Sequence, residues 1–357
     1  MRQFTRLVSL VTTALMLMVL LAGTTAPSVA QDMTQVRFMV ANPVINLGHT
    51  QLAVAQQKGY FSEGNVAVEY LTSDGTVAVV QALASGTADM GQVDTLAIDA
   101  ALSRGVQDIV AVCSYVASNI YYLAVPEGSP IEQVSDLQGK KIGLSSLGTG
   151  VYYNAQVMLQ EAGLNPETDV EFVTIQQPAA QLNALVSGDV DAISIIDVSV
   201  ATFENQGETL RTFQPSGPMQ WQWNVVAARR AFFEENPEAV AAVCKGLQQA
   251  EVYVVTSPEA ALTQFRAWGG DTGTTPDDQA VNIIRYRADR GFRTYPEGED
   301  RWGWMNVEAM SELADLYQSL GLLEAEVEIS NAYTLDLIDQ IQPDIERATT
   351  EATQDAG

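Results

Sequence analysis

The sequence predicts an α/β protein built from two similar units, and three observations carry that expectation. Apolar strand-like runs alternate with amphipathic helix-like runs from Val36 to Ile196. The alternation starts twice, at Val36 and again at Lys141, so one α/β unit follows another. The units also echo each other. QALASGTAD at 81–89 and NALVSGDVD at 183–191 each run a helix into Ser-Gly, then a turn, then an Asp that opens a short strand. Strands alternating with helices imply parallel sheets covered on both faces.

Arg2 and Arg6, the apolar run Ala14–Ala22 and then Ser28-Val29-Ala30 read as a secretory signal peptide cleaved after Ala30. The run is too short for a membrane span. Thr24 follows Leu21-Ala22-Gly23 where a lipid-attachment cysteine would stand. The expected product is an exported, soluble, periplasmic protein.

Val36–Val40 reads as a buried strand, and a helix follows from Thr50, its expected N-cap, to Lys58, with Gly59 as the stop. Val66–Leu71 alternates as a strand, and Ser73-Asp74-Gly75-Thr76 opens a helix that ends before Gly86. Asp89–Val93 is a short strand, Asp94 is placed to cap the helix to Ser103, and Ile109–Cys113 is a further strand. Tyr121–Val125 carries the chain across to the second unit. There the order is strand Lys141–Leu144, helix Tyr152–Glu161, strand Val170–Thr174, helix Pro178–Val186 and strand Asp191–Ile196. Strand-like Leu210–Phe213 and Trp223–Ala227 lead back. From Arg229 onward the pattern is helical, with Pro237 and Pro258 at first-turn positions and Ser257 as an N-cap. The stretch Thr349–Gly357 is polar and is expected to be mobile.

DLQGKKIGLSSLGTG at 136–150 runs from a turn into a short strand, a Ser/Gly/Thr loop and a helix start. Free backbone N–H groups and the Ser145, Ser146 and Thr149 hydroxyls then converge on one spot, although an ordinary strand–helix connection has the same grammar. The Gly143-x4-Gly148 spacing is not a phosphate-binding P-loop, because Thr149-Gly150 stands where Lys-Ser/Thr is required.

The chain has 357 residues with 18 basic and 44 acidic side chains, a net charge of −26. Such acidity argues against nucleic acid or an anionic membrane as partner. One His, two Cys and no EF-hand loop leave no metal cluster. Cys113 lies inside an apolar strand and Cys244 far along the chain; two buried thiols are the favoured reading, with a disulfide open in an exported protein.

The motifs, taken in order, resemble a known family. Gln56-Gln57-Lys58-Gly59-Tyr60-Phe61, Ala84-Ser85-Gly86-Thr87-Ala88-Asp89, Asp136-Leu137-Gln138-Gly139-Lys140-Lys141-Ile142-Gly143 and Phe233-Glu234-Glu235-Asn236-Pro237 are similar to segments of periplasmic substrate-binding proteins. These serve ABC importers of nitrate, sulfonates, taurine and thiamine-precursor pyrimidines, and the thiamine-pyrimidine synthase of fungi is a relative. The resemblance covers about residues 36–250. It implies a two-lobed type II periplasmic-binding-protein fold with hinge strands. Residues 33–121 with 225–350 would form lobe one, which carries the helical C-terminal part; 122–224 would form lobe two and 351–357 a polar tail. It also implies hinge closure on a small nutrient, delivery to an inner-membrane permease, a monomer and no cofactor.

Ligands of open α/β sheets sit outside the carboxyl ends of the strands. The candidate contacts are therefore Asn42, Asn46, His49, Asp74, Thr76, Asp94 and Tyr115 from lobe one. Lobe two contributes Ser145, Ser146, Thr149, Gln177, Asp197, and Trp221 and Trp223, which alternate on one strand-like run. Asp94 and Asp197 also suit helix N-caps, His49 a plain hydrogen-bonding role, and the tryptophans a core role. The candidate loops carry acids at 74, 94 and 197 and no Arg or Lys, which opposes an anion. The expected ligand is a neutral or weakly basic heterocycle, a thiamine-type pyrimidine or a flavin, with a sulfonate, taurine or nitrate as the alternative. An enzyme is the rival class, weakened by the absence of a G-x-S-x-G elbow and of a cysteine-rich segment. A sensor module touching a membrane receptor is the other rival.

Overall fold

The computed structural model describes residues 33–147, 149–215, 224–271, 273–292 and 301–357. The signal-peptide reading and the tryptophans at 221 and 223 lie outside the described residues.

Two five-stranded sheets organise the chain. In the first, β1 (Thr34–Val40) pairs parallel with β2 (Val66–Thr72) and β3 (Met90–Asp94), and its inward residues Val36, Phe38 and Val40 are fully buried. The sheet continues through β10 (Asn224–Arg229) to β4 (Ile109–Val116). In the second, β6 (Lys140–Leu144) pairs parallel with β7 (Val170–Thr174) and β8 (Ala192–Ile196), and β5 (Tyr121–Pro126) lies between β8 and β9 (Leu210–Phe213). The orders, β2-β1-β3-β10-β4 and β7-β6-β8-β5-β9, follow one plan.

The expectation of purely parallel sheets is corrected. β10 runs antiparallel to β3 and β4, and β5 runs antiparallel to β8 and β9. These are the strands that receive the chain from the other sheet. Both begin at the cleft, at Asn224 and Tyr121, so they run away from it while β1, β3, β6 and β8 run towards it.

The echo noted in the sequence has a structural cause. The helices Thr76–Ser85 (α2) and Pro178–Ser187 (α5) both end on a left-handed glycine, Gly86 at φ +74° and Gly188 at φ +79°. The Asp that follows then accepts a main-chain N–H from the neighbouring parallel strand: Arg37 to Asp89 at 3.0 Å and Lys141 to Asp191 at 2.9 Å. Each carboxylate also meets a basic side chain, Arg37 or Lys140.

Three local expectations change. Thr50 is the first residue of α1 (Thr50–Gln57) and not its cap; His49 holds that position, and the Thr50 hydroxyl donates back to the Leu47 carbonyl at 2.6 Å. Cys113 in β4 and Cys244 in α8 (Pro237–Thr256) form a disulfide, not two thiols, because α8 packs on β4 with the two Cα atoms 6.3 Å apart. The polar C-terminal stretch is ordered as the last turns of α13 (Ile345–Ala356). Its polarity conceals a narrow apolar stripe: Ala348 and Ala352 are fully buried, while Tyr60 donates to Glu351 at 2.7 Å and Lys58 meets Asp355 at 2.8 Å. Ser257 caps α9 (Pro258–Ala267) as expected, accepting from the Ala260 N–H at 3.1 Å.

Candidate functional site

A cleft of about 940 Å³ opens where the strand ends of both sheets meet. Asn42, Asn46, His49, Asp74, Thr76 and Asp94 line it from the first sheet's loops, and Ser145, Ser146, Thr149 and Gln177 from the second's. Tyr115 and Asp197 do not. Tyr115 is fully buried beside Phe38, with ring centroids 6.5 Å apart, because β4 alternates and position 115 faces the core. Asp197 is fully buried behind the cleft wall; it is the first residue of α6 (Asp197–Asn205), so its cap assignment is also replaced.

The partner of Asp197 was not foreseen. Arg287, the last residue of α10 (Asp277–Arg287), donates from Nε to Oδ2 at 2.5 Å and from Nη2 to Oδ1 at 2.6 Å, and from Nη1 to the Gly48 carbonyl at 3.3 Å. Arg287 lines the cleft, so the expectation of cleft loops without Arg or Lys is corrected. The signal was an arginine in step with Ile283 and Ile284 on the buried face of α10. Burial opposes its charge, yet the Asp197 carboxylate holds its pKa above the ordinary value.

A second buried network joins the sheets. Gln92 Nε2 donates to Asn224 Oδ1 at 2.7 Å, Asn224 Nδ2 to the Tyr121 hydroxyl at 3.1 Å, and that hydroxyl reaches Asp94 Oδ2 at 3.5 Å. An ionised carboxylate only accepts, so Asp94 sets the polarity of the whole chain of bonds. Tyr121 must donate, its oxygen accepts from Asn224, and Gln92 must use its amide N–H. Gln92 Oε1 and Asp94 Oδ1 are then buried acceptors on the cleft wall without a well-formed hydrogen bond among the described residues, although His49 faces Gln92 and the Ala97 N–H faces the Asp94 carboxylate. Gln92 and Asn224 were missed in the sequence, although a polar residue inside a buried strand was the available sign.

Electrostatics follows from burial. Desolvation pushes Asp94 up to about 6, against the pull of its hydrogen bonds, so it is mainly ionised at pH 7. Desolvation and the Arg287 charge push His49 down to about 3, so it is neutral. Its Nδ1 accepts from the Asn46 N–H at 3.2 Å, which leaves the proton on Nε2. Asn46 is engaged in the same turn, its Oδ1 accepting from the Gly48 N–H at 2.9 Å. Among the described residues, the charged cleft residues are thus Asp74, Asp94, Asp271 and Arg287; Asp271 pairs with Arg266 and Arg287 with Asp197.

Gly150 begins α4 (Gly150–Glu161) and lets Tyr121 cross to Asp94, since a Cβ there would fall on the tyrosine hydroxyl and Cζ. Gly150→Ala is expected to lower stability by about 1–3 kcal/mol, as overpacking does. Urea unfolding checks it; a loss below a few tenths would show that Tyr121 moves freely.

The NMT1/THI5-like family model matches residues 46–261, more than half of the chain. The taurine-binding periplasmic protein of Escherichia coli is 29% identical over 215 residues, 59% of this chain and 65% of that protein. The formylaminopyrimidine-binding protein of Halalkalibacterium halodurans is 26% identical over 226 residues, 61% of this chain and 66% of that protein. The chain therefore aligns with just under two thirds of the length of each. In fold, the alkanesulfonate-binding protein SsuA of Xanthomonas axonopodis bound to MOPS superposes with a TM-score of 0.65 at 19% identity, covering 86% of this chain and all of that one. Two sheets of one plan around a shared cleft are thus the two-lobed fold of periplasmic binding proteins, and the chain belongs to the NMT1/THI5-like family.

Proposed function

We propose that the protein is an exported solute receptor of an ABC importer, binding a small neutral or weakly basic heteroaromatic ligand that presents N–H donors. The observation that carries this reading is the pair of buried acceptors on the cleft wall, Asp94 Oδ1 and Gln92 Oε1, whose nearby protein donors, the Ala97 N–H and His49, leave them without a well-formed hydrogen bond. A buried acceptor is costly unless a donor meets it, and an amino-substituted ring supplies donors and a flat apolar face together. Asn42, His49, Asp74, Thr76, Ser145, Ser146, Thr149 and Gln177 complete the contact set, with Gln92, Asn224 and Arg287 added to it. Lobe one spans about 33–121 with 225–350 and lobe two about 122–224; ligand touching both favours the closed form, which docks on a membrane permease. The buried disulfide suits an oxidising compartment such as the periplasm. The formylaminopyrimidine-binding relative supports a nitrogen heterocycle.

The anion reading has its own support in the taurine-binding relative and in the start of α4, where Ser145, Ser146 and Thr149 line the cleft beside backbone N–H groups. Titration calorimetry with a 4-aminopyrimidine, riboflavin and taurine separates the two. The heterocycle reading expects a ring compound to bind and Asp94→Asn to weaken it about tenfold to a hundredfold, the scale of a hydrogen bond to a charged group. Affinity is expected to fall as pH drops through about 6, where the Asp94 carboxylate takes up its proton. Without ligand the sign for stability is opposite. A raised carboxyl pKa favours folding at acid pH, and that contribution is lost as pH rises through about 6. Taurine binding with no response to any heterocycle would sink the reading.

A further inference from the structure

We infer that Asp197 determines the charge selectivity of the cleft: by pairing with Arg287 from behind the wall, it keeps the site's cation from holding anionic ligands. The inference rests on the cleft being the ligand site proposed above, and it assigns a role to a residue that touches no ligand.

Arg287 lines the cleft, whereas Asp197 does not and is fully buried. A ligand therefore meets the outer edge of a guanidinium whose inner edge is held in a two-point bond, Nε to Oδ2 at 2.5 Å and Nη2 to Oδ1 at 2.6 Å. This fork is the geometry with which arginine binds a carboxylate or sulfonate, and here the protein's own carboxylate fills it. The pair is held in place from both sides. Asp197 Oδ1 also accepts the Val198 N–H at 2.8 Å, and Arg287 donates to the Gly48 carbonyl. Gly48 is packed so tightly that a Cβ on it would stand 3.2 Å from Val198 Cγ1 and 3.4 Å from Arg287 Nη2. The guanidinium has little room to swing towards a ligand. Among the described residues, the other ionisable groups on the cleft wall do not replace its charge: His49 is neutral, and Asp74, Asp94 and Asp271 are acids. Removing the Asp197 charge while keeping its shape thus converts a compensated cleft into one with a buried cation in need of an anion.

The test is calorimetry and thermal shift with methanesulfonate on the wild-type mature chain, Asp197→Asn and the double variant Asp197→Asn with Arg287→Gln. Wild type is expected to bind methanesulfonate weakly at most. Asp197→Asn should bind at least about tenfold tighter than wild type, the low end for a close charge pair, and its melting temperature should rise with methanesulfonate. The double variant should lose both effects. A folded Asp197→Asn that binds no better than wild type, or a double variant that binds as well as the single, would overturn the inference. Should Asp197→Asn fail to fold unaided, refolding in methanesulfonate but not in neutral dimethyl sulfone supports it, and failure in both overturns it. Tight binding by wild type is a different outcome: it removes the neutral-heterocycle reading and this inference with it, whereas failure of Asp197→Asn alone leaves that reading standing.

Discussion

Replacing Arg287 with methionine is expected to remove about 3–5 kcal/mol of stability, the usual cost of leaving one member of a buried ion pair alone. Asp197 is fully buried and its two oxygens take both guanidinium bonds, so the variant strands a carboxylate that, among the described residues, the Val198 N–H alone still serves. Replacing both residues, Arg287→Met with Asp197→Leu, is expected to recover most of that loss, because the desolvation penalty disappears along with the attraction. Urea denaturation of the two variants and wild type checks both statements. A loss below about 1 kcal/mol for the single variant would mean that water reaches the pair. The pair also joins α6, which follows β8 of the second sheet, to α10 and to Gly48 near the first. Its removal is therefore expected to loosen the contact across the cleft as well as the fold, seen as faster amide exchange at Gly48 and Val198.

The second large effect concerns Cys113–Cys244. The bond closes a sequence separation of 131 residues that contains the whole of the second sheet. It ties the centre of β4 to α8, close to the strands where the chain leaves and rejoins the first sheet. Cys113→Ala with Cys244→Ala is expected to cost about 2–5 kcal/mol. Both sulfurs are buried, so reductant should act only on opened molecules: dithiothreitol should leave the native melting curve unchanged at first and block refolding afterwards. Rapid reduction of the native state without unfolding would show that the helix–sheet contact opens locally.

Much of the fold was legible because its signals are local. The alternation of periods marked the strands and helices, and the Ser-Gly-x-x-Asp echo marked two units whose glycine caps and strand-pinning carboxylates prove equivalent. Pro237, Pro258 and Ser257 marked helix starts that the structure keeps. The strand-end rule placed His49, Thr76, Asp94 and Ser145 on the cleft. What escaped depends on distance in space. Arg287 stands 90 residues from Asp197, and nothing near either one announces the other. The disulfide needed the Cα separation, which no spacing encodes. The antiparallel β5 and β10 follow from the chain's crossings between sheets, whose directions local patterns do not carry. The Tyr121–Asn224–Gln92 chain emerges only when those crossing strands set their first residues beside Asp94. The charge argument from the loops was incomplete for the same reason. It omitted Arg287, the cation that Asp197 engages.

The most direct test is to purify the protein under mild conditions, denature it and identify any released small molecule by mass spectrometry, alongside the Asp94→Ala variant. On the proposed reading, a nitrogen heterocycle bearing N–H donors is expected from the wild type and little or none from the variant, which lacks the Asp94 acceptor and the group that orients Gln92. Release of a sulfonate or another small anion, retained equally by Asp94→Ala, would contradict it and move the site to the start of α4.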